Sequence, residues 1–193
     1  MDSNIIQTVT NIVENQCRKD TNIFGYDIWR YHIKVVVEFS MILADKLDAD
    51  KEIVELASLL HDYASIKDKK LIDKHHIYGA EEAGKILTRL DYPEDGINKV
   101  KECIIQHRGS VKYNYTSKES ICVASADAMS HIEHVPSLLK LAYCRKNLSI
   151  DDGANWVNDK IDRSWNKLCP EAKDIMQKKY NSVKEILDTY KDC

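Results

Sequence analysis

Glycine and proline are scarce, six and three of 193 residues. So few chain breakers cannot serve a turn-rich β architecture, and the sequence favours long helices. Cysteine is present, but Cys17, Cys103, Cys122, Cys144, Cys169 and Cys193 lie far apart with no C-x-x-C pair. That spacing argues against a disulfide framework or a thiolate metal site and suits reduced thiols in the cytoplasm. No apolar run reaches the ~18 residues of a membrane span. The opening stretch, MDSNIIQTVTNIVENQ, lacks the basic start and apolar run of a signal peptide, so neither export nor membrane insertion is expected. Neither sign of charge dominates: 28 basic and 31 acidic side chains give a formal net charge of -3. A nucleic-acid polymer needs a clustered basic surface, so a small molecule is the expected partner.

What the chain does have is helical periodicity. Hydrophobic residues make up 44% and charged residues 31%, enough to bury one core in a single domain spanning 1–193. Ile28, His32, Val35, Val36 and Phe39 share a face, predicting a helix from about Asp27 to Leu47. Asp50 caps the next, whose stripe of Ile53, Leu56, Ala57 and Leu60 runs into His61-Asp62. A charged connection, KDKKLIDK, leads to a helix from about His76 to Leu90 with His75 at its entrance. Tyr92 to Gly96 reads as a turn, after which Ile97, Val100, Ile104 and His107 repeat at helical spacing. Thr116 and Glu119 have capping-box spacing before an unusually apolar helix that carries Asp127. Three further helical patterns fill 135–193, broken near Asp151–Gly153 and at Pro170.

Several polar residues sit where apolar ones belong. His32 and His107 lie on apolar helical faces, and Asp127 stands within Val-Ala-Ser-Ala-Asp-Ala-Met. A carboxylate there needs a lysine, a capped loop or a metal to offset its desolvation. His61-Asp62, an adjacent pair at a helix end, can address one ion beyond that end although neighbouring side chains point about 100° apart.

Taken in order, Trp29-x-x-His32, Leu59-Leu60-His61-Asp62, His75-x-x-x-Gly79-Ala80, Ile105-x-His107 and Ala126-Asp127-Ala128 resemble the HD superfamily of metal-dependent phosphohydrolases. The resemblance covers about 27–134 and implies an all-α fold, an HD-domain, phosphodiesterase-like helical bundle that the helices of 135–193 complete. It implies metal ligation by His32, His61, Asp62 and Asp127, joined in two-metal members by His75 and His107, with His76 the alternative to His75. His61 and Asp62 are the implied catalytic pair. Imidazoles and carboxylates without thiolate suit one or two ions of Fe, Mn, Co, Ni or Zn. Lys67, Arg108 and Lys112 are the expected substrate-binding cations, within a group that also includes Lys69, Lys70 and Lys74. His131 and His134, one and two turns beyond Asp127, are candidate supporting partners.

The chain also departs from better-known members. Ser65 stands where the GYP-type cyclic-dinucleotide enzymes carry lysine, and Ser130 where small nucleotide hydrolases often carry a second aspartate. The reading is hydrolysis of a small phosphate ester or nucleotide through a metal-activated hydroxide. An HD-type di-iron oxygenase and a non-catalytic metal-binding sensor or interaction module stay open as alternatives, as does assembly into a homo-oligomer.

Overall fold

The periodic segments are helices in the computed structural model, which describes residues 3–108 and 114–188; no strand occurs among them. In chain order they are α1 (Ser3–Cys17), α2 (Lys34–Leu47), α3 (Lys51–Leu60), α4 (Tyr63–Lys67), α5 (His75–Arg89), α6 (Glu94–Gln106), α7 (Lys118–Glu133), α8 (Val135–Lys140), α9 (Ile150–Lys167) and α10 (Pro170–Leu187). The architecture is all-α, and none of the described helices is long and apolar enough to cross a membrane.

α7 is the axis of the bundle. It packs against α2, α3, α6, α9 and α10, so it is apolar around its whole circumference and buries every residue from Cys122 to Ser130. Its small side chains, Ala124, Ser125, Ala126 and Ala128, let neighbouring helices approach closely. Leu43 of α2, Leu56 and Leu60 of α3, Ile104 of α6 and Ile161 of α9 are fully buried, as are Met129 and Ile132 of α7. The C-terminal helices share this core, since Ile161, Met176 and Leu187 belong to the same cluster as Val9 and Leu43.

Local chemistry sets the helix ends. The Asp50 side chain accepts from the N–H groups of Glu52 and Ile53 at 3.0 and 3.3 Å, the cap expected of α3. The helix into α2 begins near Asp27 as its periodicity predicts, but residues Trp29–Ile33 form a π-turn, closed by the Lys34 N–H on the Trp29 carbonyl. A π-turn rotates the register of the side chains it contains, and this one contains His32.

Three local expectations need correction. Ser117, not Thr116, caps α7, its hydroxyl accepting from Ser120 N–H at 3.1 Å. Thr116 instead bonds Glu102 and Gln106, and Glu119 accepts the Asp50 N–H at 2.8 Å, tying α7 to α3. Gly96 lies inside α6 and not in a turn; the positive φ falls on Asp91 at 54°. Glycine is needed at 96 for space, because a Cβ there would come within 2.5 Å of Cε1 of Tyr92. Asp151–Gly153 is the first turn of α9 rather than a break, because Ser149 caps that helix from just before it.

Candidate metal centre

His61 ends α3, His75 opens α5, His107 ends α6, and Asp127 projects from the middle of α7. The π-turn before α2 adds His32. Helix ends are effective places for such ligands, because the chain turns there and free carbonyls are available to orient a ring. Gly79 makes the approach of α5 close: a Cβ there would stand 3.1 Å from the His61 carbonyl oxygen.

Three of these imidazoles are held in the same way. Nδ1 faces the carbonyl three residues earlier, at 2.8 Å for His61 on Ser58, 2.8 Å for His75 on Ile72 and 2.6 Å for His107 on Ile104. A carbonyl only accepts, so Nδ1 carries the proton and Nε2 is left with a bare lone pair. His32 reaches the same state by another route. Ser130 Oγ donates its proton to the Asp127 carbonyl at 2.7 Å, so toward His32 Nδ1, 2.9 Å away, it can only accept.

All four Nε2 atoms then converge. His32 Nε2 and His61 Nε2 are 3.0 Å apart, and His75 Nε2 and His107 Nε2 are 3.2 Å apart. Between each pair two lone pairs face each other with no proton to share, an arrangement that a cation resolves. The carboxylates complete it. Asp62 Oδ2 is 3.2 Å from His32 Nε2 and its Oδ1 is 3.8 Å from His75 Nε2; Asp127 Oδ1 is 3.6 Å from His32 Nε2. His32, His61 and Asp127 offer ligand atoms all within 4.8 Å of one another, and His61, Asp62 and His107 do the same. The donor set therefore fits divalent ions of intermediate softness.

Protonation agrees with this. Burial pushes His61 below the usual imidazole range against the pull of Asp62, and pushes His107 well below it with help from His61. Burial pulls both carboxyls upward, yet each lies well below the ordinary carboxylate range. For Asp62 the imidazoles of His61, His32 and His75 outweigh burial; for Asp127 it is Lys167, His131 and His32. Neutral imidazoles and ionised carboxylates are the forms that bind a metal.

The residues expected around this group fare differently. His75 lines the cavity above the cluster, whereas His76 turns aside with Nδ1 3.4 Å from Arg108 Nη1. His131 stacks on His32 with ring centroids 5.5 Å apart, bonds Ser164 through Nδ1 and brings Nε2 to 3.8 Å from Asp127. His134 also lines the cavity. Lys67 does not: its ammonium is bound to Glu82 at 2.5 Å and is not part of the cavity wall. Arg108 lines the cavity while donating to the Asp73 carbonyl. Lys112 lies outside the described residues. Ser65 donates to Asp62 at 3.3 Å, so both serines that depart from the better-known pattern end up holding the cluster.

α9 contributes what the motif did not announce. Lys167 Nζ donates to Asp127 Oδ2 at 2.6 Å and to the His107 carbonyl at 2.5 Å, linking two elements of the cluster. Lys160 and Arg163 line the same cavity, which encloses about 870 Å³. Their spacing, i, i+3 and i+7, was readable as one helical face, but nothing in the sequence said which way it pointed.

The HD domain family model matches residues 29–132. No curated protein and no solved structure matches the chain. More than half of the 193 residues fall within that match, and it contains every histidine and aspartate of the cluster, so the chain belongs to the HD domain family, whose members are mostly metal-dependent hydrolases.

Proposed function

We propose that this protein is a metal-dependent hydrolase of a small phosphate ester or nucleotide. The observation that carries the reading is the convergence of four imidazole Nε2 atoms and two carboxylates beside one cavity. His32, His61 and Asp127 form one candidate ligand group, and His107 and His75 extend the other from His61 and Asp62. Asp62, with one oxygen toward His32 and the other toward His75, is suited to serve both. When bound, divalent ions supply Lewis acidity for phosphoryl oxygens and lower the pKa of a water toward neutrality.

The chain's own groups do the rest. The backbone carbonyls of Ser58, Ile72 and Ile104 fix ring orientation, and Lys167 fixes the outer oxygen of Asp127, so the donors are pre-arranged rather than gathered on binding. The cavity is of a size for a drug-like or nucleotide-sized molecule, which agrees with a small substrate. Cations on its α9 wall favour an anionic substrate over dioxygen.

The test is a screen of nucleotides and simple phosphate esters on metal-free protein reconstituted separately with Mn, Fe, Co, Ni or Zn. Turnover that appears on reconstitution and vanishes with chelator is expected. Oxygen uptake by the iron form without phosphate release would favour the di-iron oxygenase. Metal binding with neither activity would leave a sensor or interaction module.

A further inference from the structure

The cations that line the cavity divide into two groups. Lys167 is paired with Asp127 at 2.6 Å, Lys140 with Asp27 at 2.7 Å, and Arg108 donates to the Asp73 carbonyl at 2.5 Å. Lys160, Arg163 and Arg145 line the same cavity, and among the described residues none of their charged groups makes a hydrogen bond or an ion pair. Lys160 is partly buried, and it lies close enough to His131, Asp127 and Asp62 to act on them electrostatically. Burial pushes its ammonium below the usual lysine range; Asp127 pulls it back up, and Lys167 pushes it down again. A half-buried ammonium with no direct hydrogen bond or ion pair is costly unless an anion arrives to meet it.

The charge around the centre says what kind of anion. Asp62 and Asp127 are the carboxylates of the cluster, and Asp127 already answers Lys167. Arg163 and Arg145 are exposed to solvent, so the partly buried Lys160 is the cation that most needs an anion, and a phosphodiester, with one charge and two free oxygens, has least to spare for it beyond the cluster. A terminal phosphate carries about two negative charges near neutral pH and three free oxygens, enough to meet the cluster and α9 together. Trp156, Leu138, Leu141, Tyr31 and Phe24 line the same cavity and offer an apolar surface to the remainder of the molecule.

We infer that α9 is the anion-recognition arm of this site: Lys160, with Arg163 one turn away, holds the free oxygens of a terminal phosphate whose apolar or aromatic body lies against the Trp156 side of the cavity. This rests on the hydrolase reading above and narrows its substrate class to phosphate monoesters and terminal phosphoanhydrides, against diesters. Neither residue falls within the stretch matched by the family.

Two measurements on Lys160→Met and Lys160→Gln test it. First, inorganic phosphate is titrated calorimetrically into metal-loaded protein; affinity should fall about 30-fold, as for truncating one member of an enclosed charge pair. Lys160→Arg should recover most of it, with bound metal unchanged throughout. Second, KM for 4-nitrophenyl phosphate should rise by a similar factor, while hydrolysis of bis(4-nitrophenyl) phosphate, already poor, should change little. Equal phosphate affinity in wild type and variants, or a parallel loss on both esters, overturns the assignment and leaves the hydrolase reading intact. If wild type hydrolyses no phosphate ester with any metal, that reading fails, and the phosphate titration alone decides the role of Lys160.

Discussion

Replacing Lys167 with Met removes a cation whose two acceptors are the Asp127 carboxylate and the His107 carbonyl. The side chains of the ion pair are only 8% and 11% exposed, so water cannot take the place of the ammonium. Breaking so enclosed a pair costs about 3 to 5 kcal/mol when nothing substitutes. In metal-free protein the imidazoles of His32 at 3.6 Å and His131 at 3.8 Å stay beside the carboxylate and soften the loss, which favours the lower figure. A loss of roughly 3 kcal/mol corresponds to a Tm about 6 to 12 °C lower for a chain of this size. With metal bound, Asp127 faces a second cation, and only the hydrogen bond to His107 is missed, about 1 to 2 kcal/mol. Thermal melts of wild type and Lys167→Met, each with and without metal, should therefore show the larger drop in the metal-free pair. The same drop in both states would mean that Asp127 does not face the ion, and no drop would mean that the pair is not enclosed.

Acid should weaken the metal-free protein in two stages. Burial holds His61, His107 and His131 below the imidazole value of the unfolded chain, about 6.5, so below that pH the unfolded state binds more protons and stability falls. Asp62 and Asp127, depressed in the folded state, extend the loss as pH drops through about 4. Tm measured from pH 8 to pH 2.5 should decline on acidification; a value that holds steady or rises between pH 7 and pH 5 would contradict the protonation assigned to the cluster. Between the two adjacent histidines, His75→Gln should lower bound metal, whereas His76→Gln, whose ring turns to Arg108, should leave it near the wild-type level by elemental analysis.

Most of the helices that carry the cluster were legible, because amphipathic stripes such as Ile53, Leu56, Ala57 and Leu60 have few alternatives once an aspartate caps them. The order of the residues that cluster was legible from the resemblance, and Asp127 from the cost of a carboxylate in an apolar helix. Less visible was that this carboxylate has both of the partners that such a position invites, a lysine on one oxygen and the histidines facing the other. The lysine comes from α9, where N-D-K-I-D-R-S-W-N-K resembles an ordinary solvated charged face; only the packing of α9 on α7 turns it inward. The lysine-rich loop after the HD pair shows the converse. Its charge density suggested a phosphate site, and Lys67 there pairs with Glu82 on α5. The π-turn that aims His32 leaves no mark on hydrophobic spacing, since both its flanks are helical.

The central claim is that Asp62 and its neighbours hold divalent metal. Asp62→Asn keeps the shape of the carboxylate and its place beside Ser65, while removing the charge that lies between His32 and His75. Metal content of wild type and Asp62→Asn, purified without chelator and then reconstituted, is the most direct measurement, with the metal-free Tm recorded for both. The account predicts a bound ion lost from the variant, turnover lost with it, and a metal-free Tm no higher than wild type, because the neighbouring imidazoles that hold the Asp62 carboxyl below the usual range lose the charge they stabilise. Full metal and full activity in Asp62→Asn would show that Asp62 is no ligand and that the centre described above is wrong.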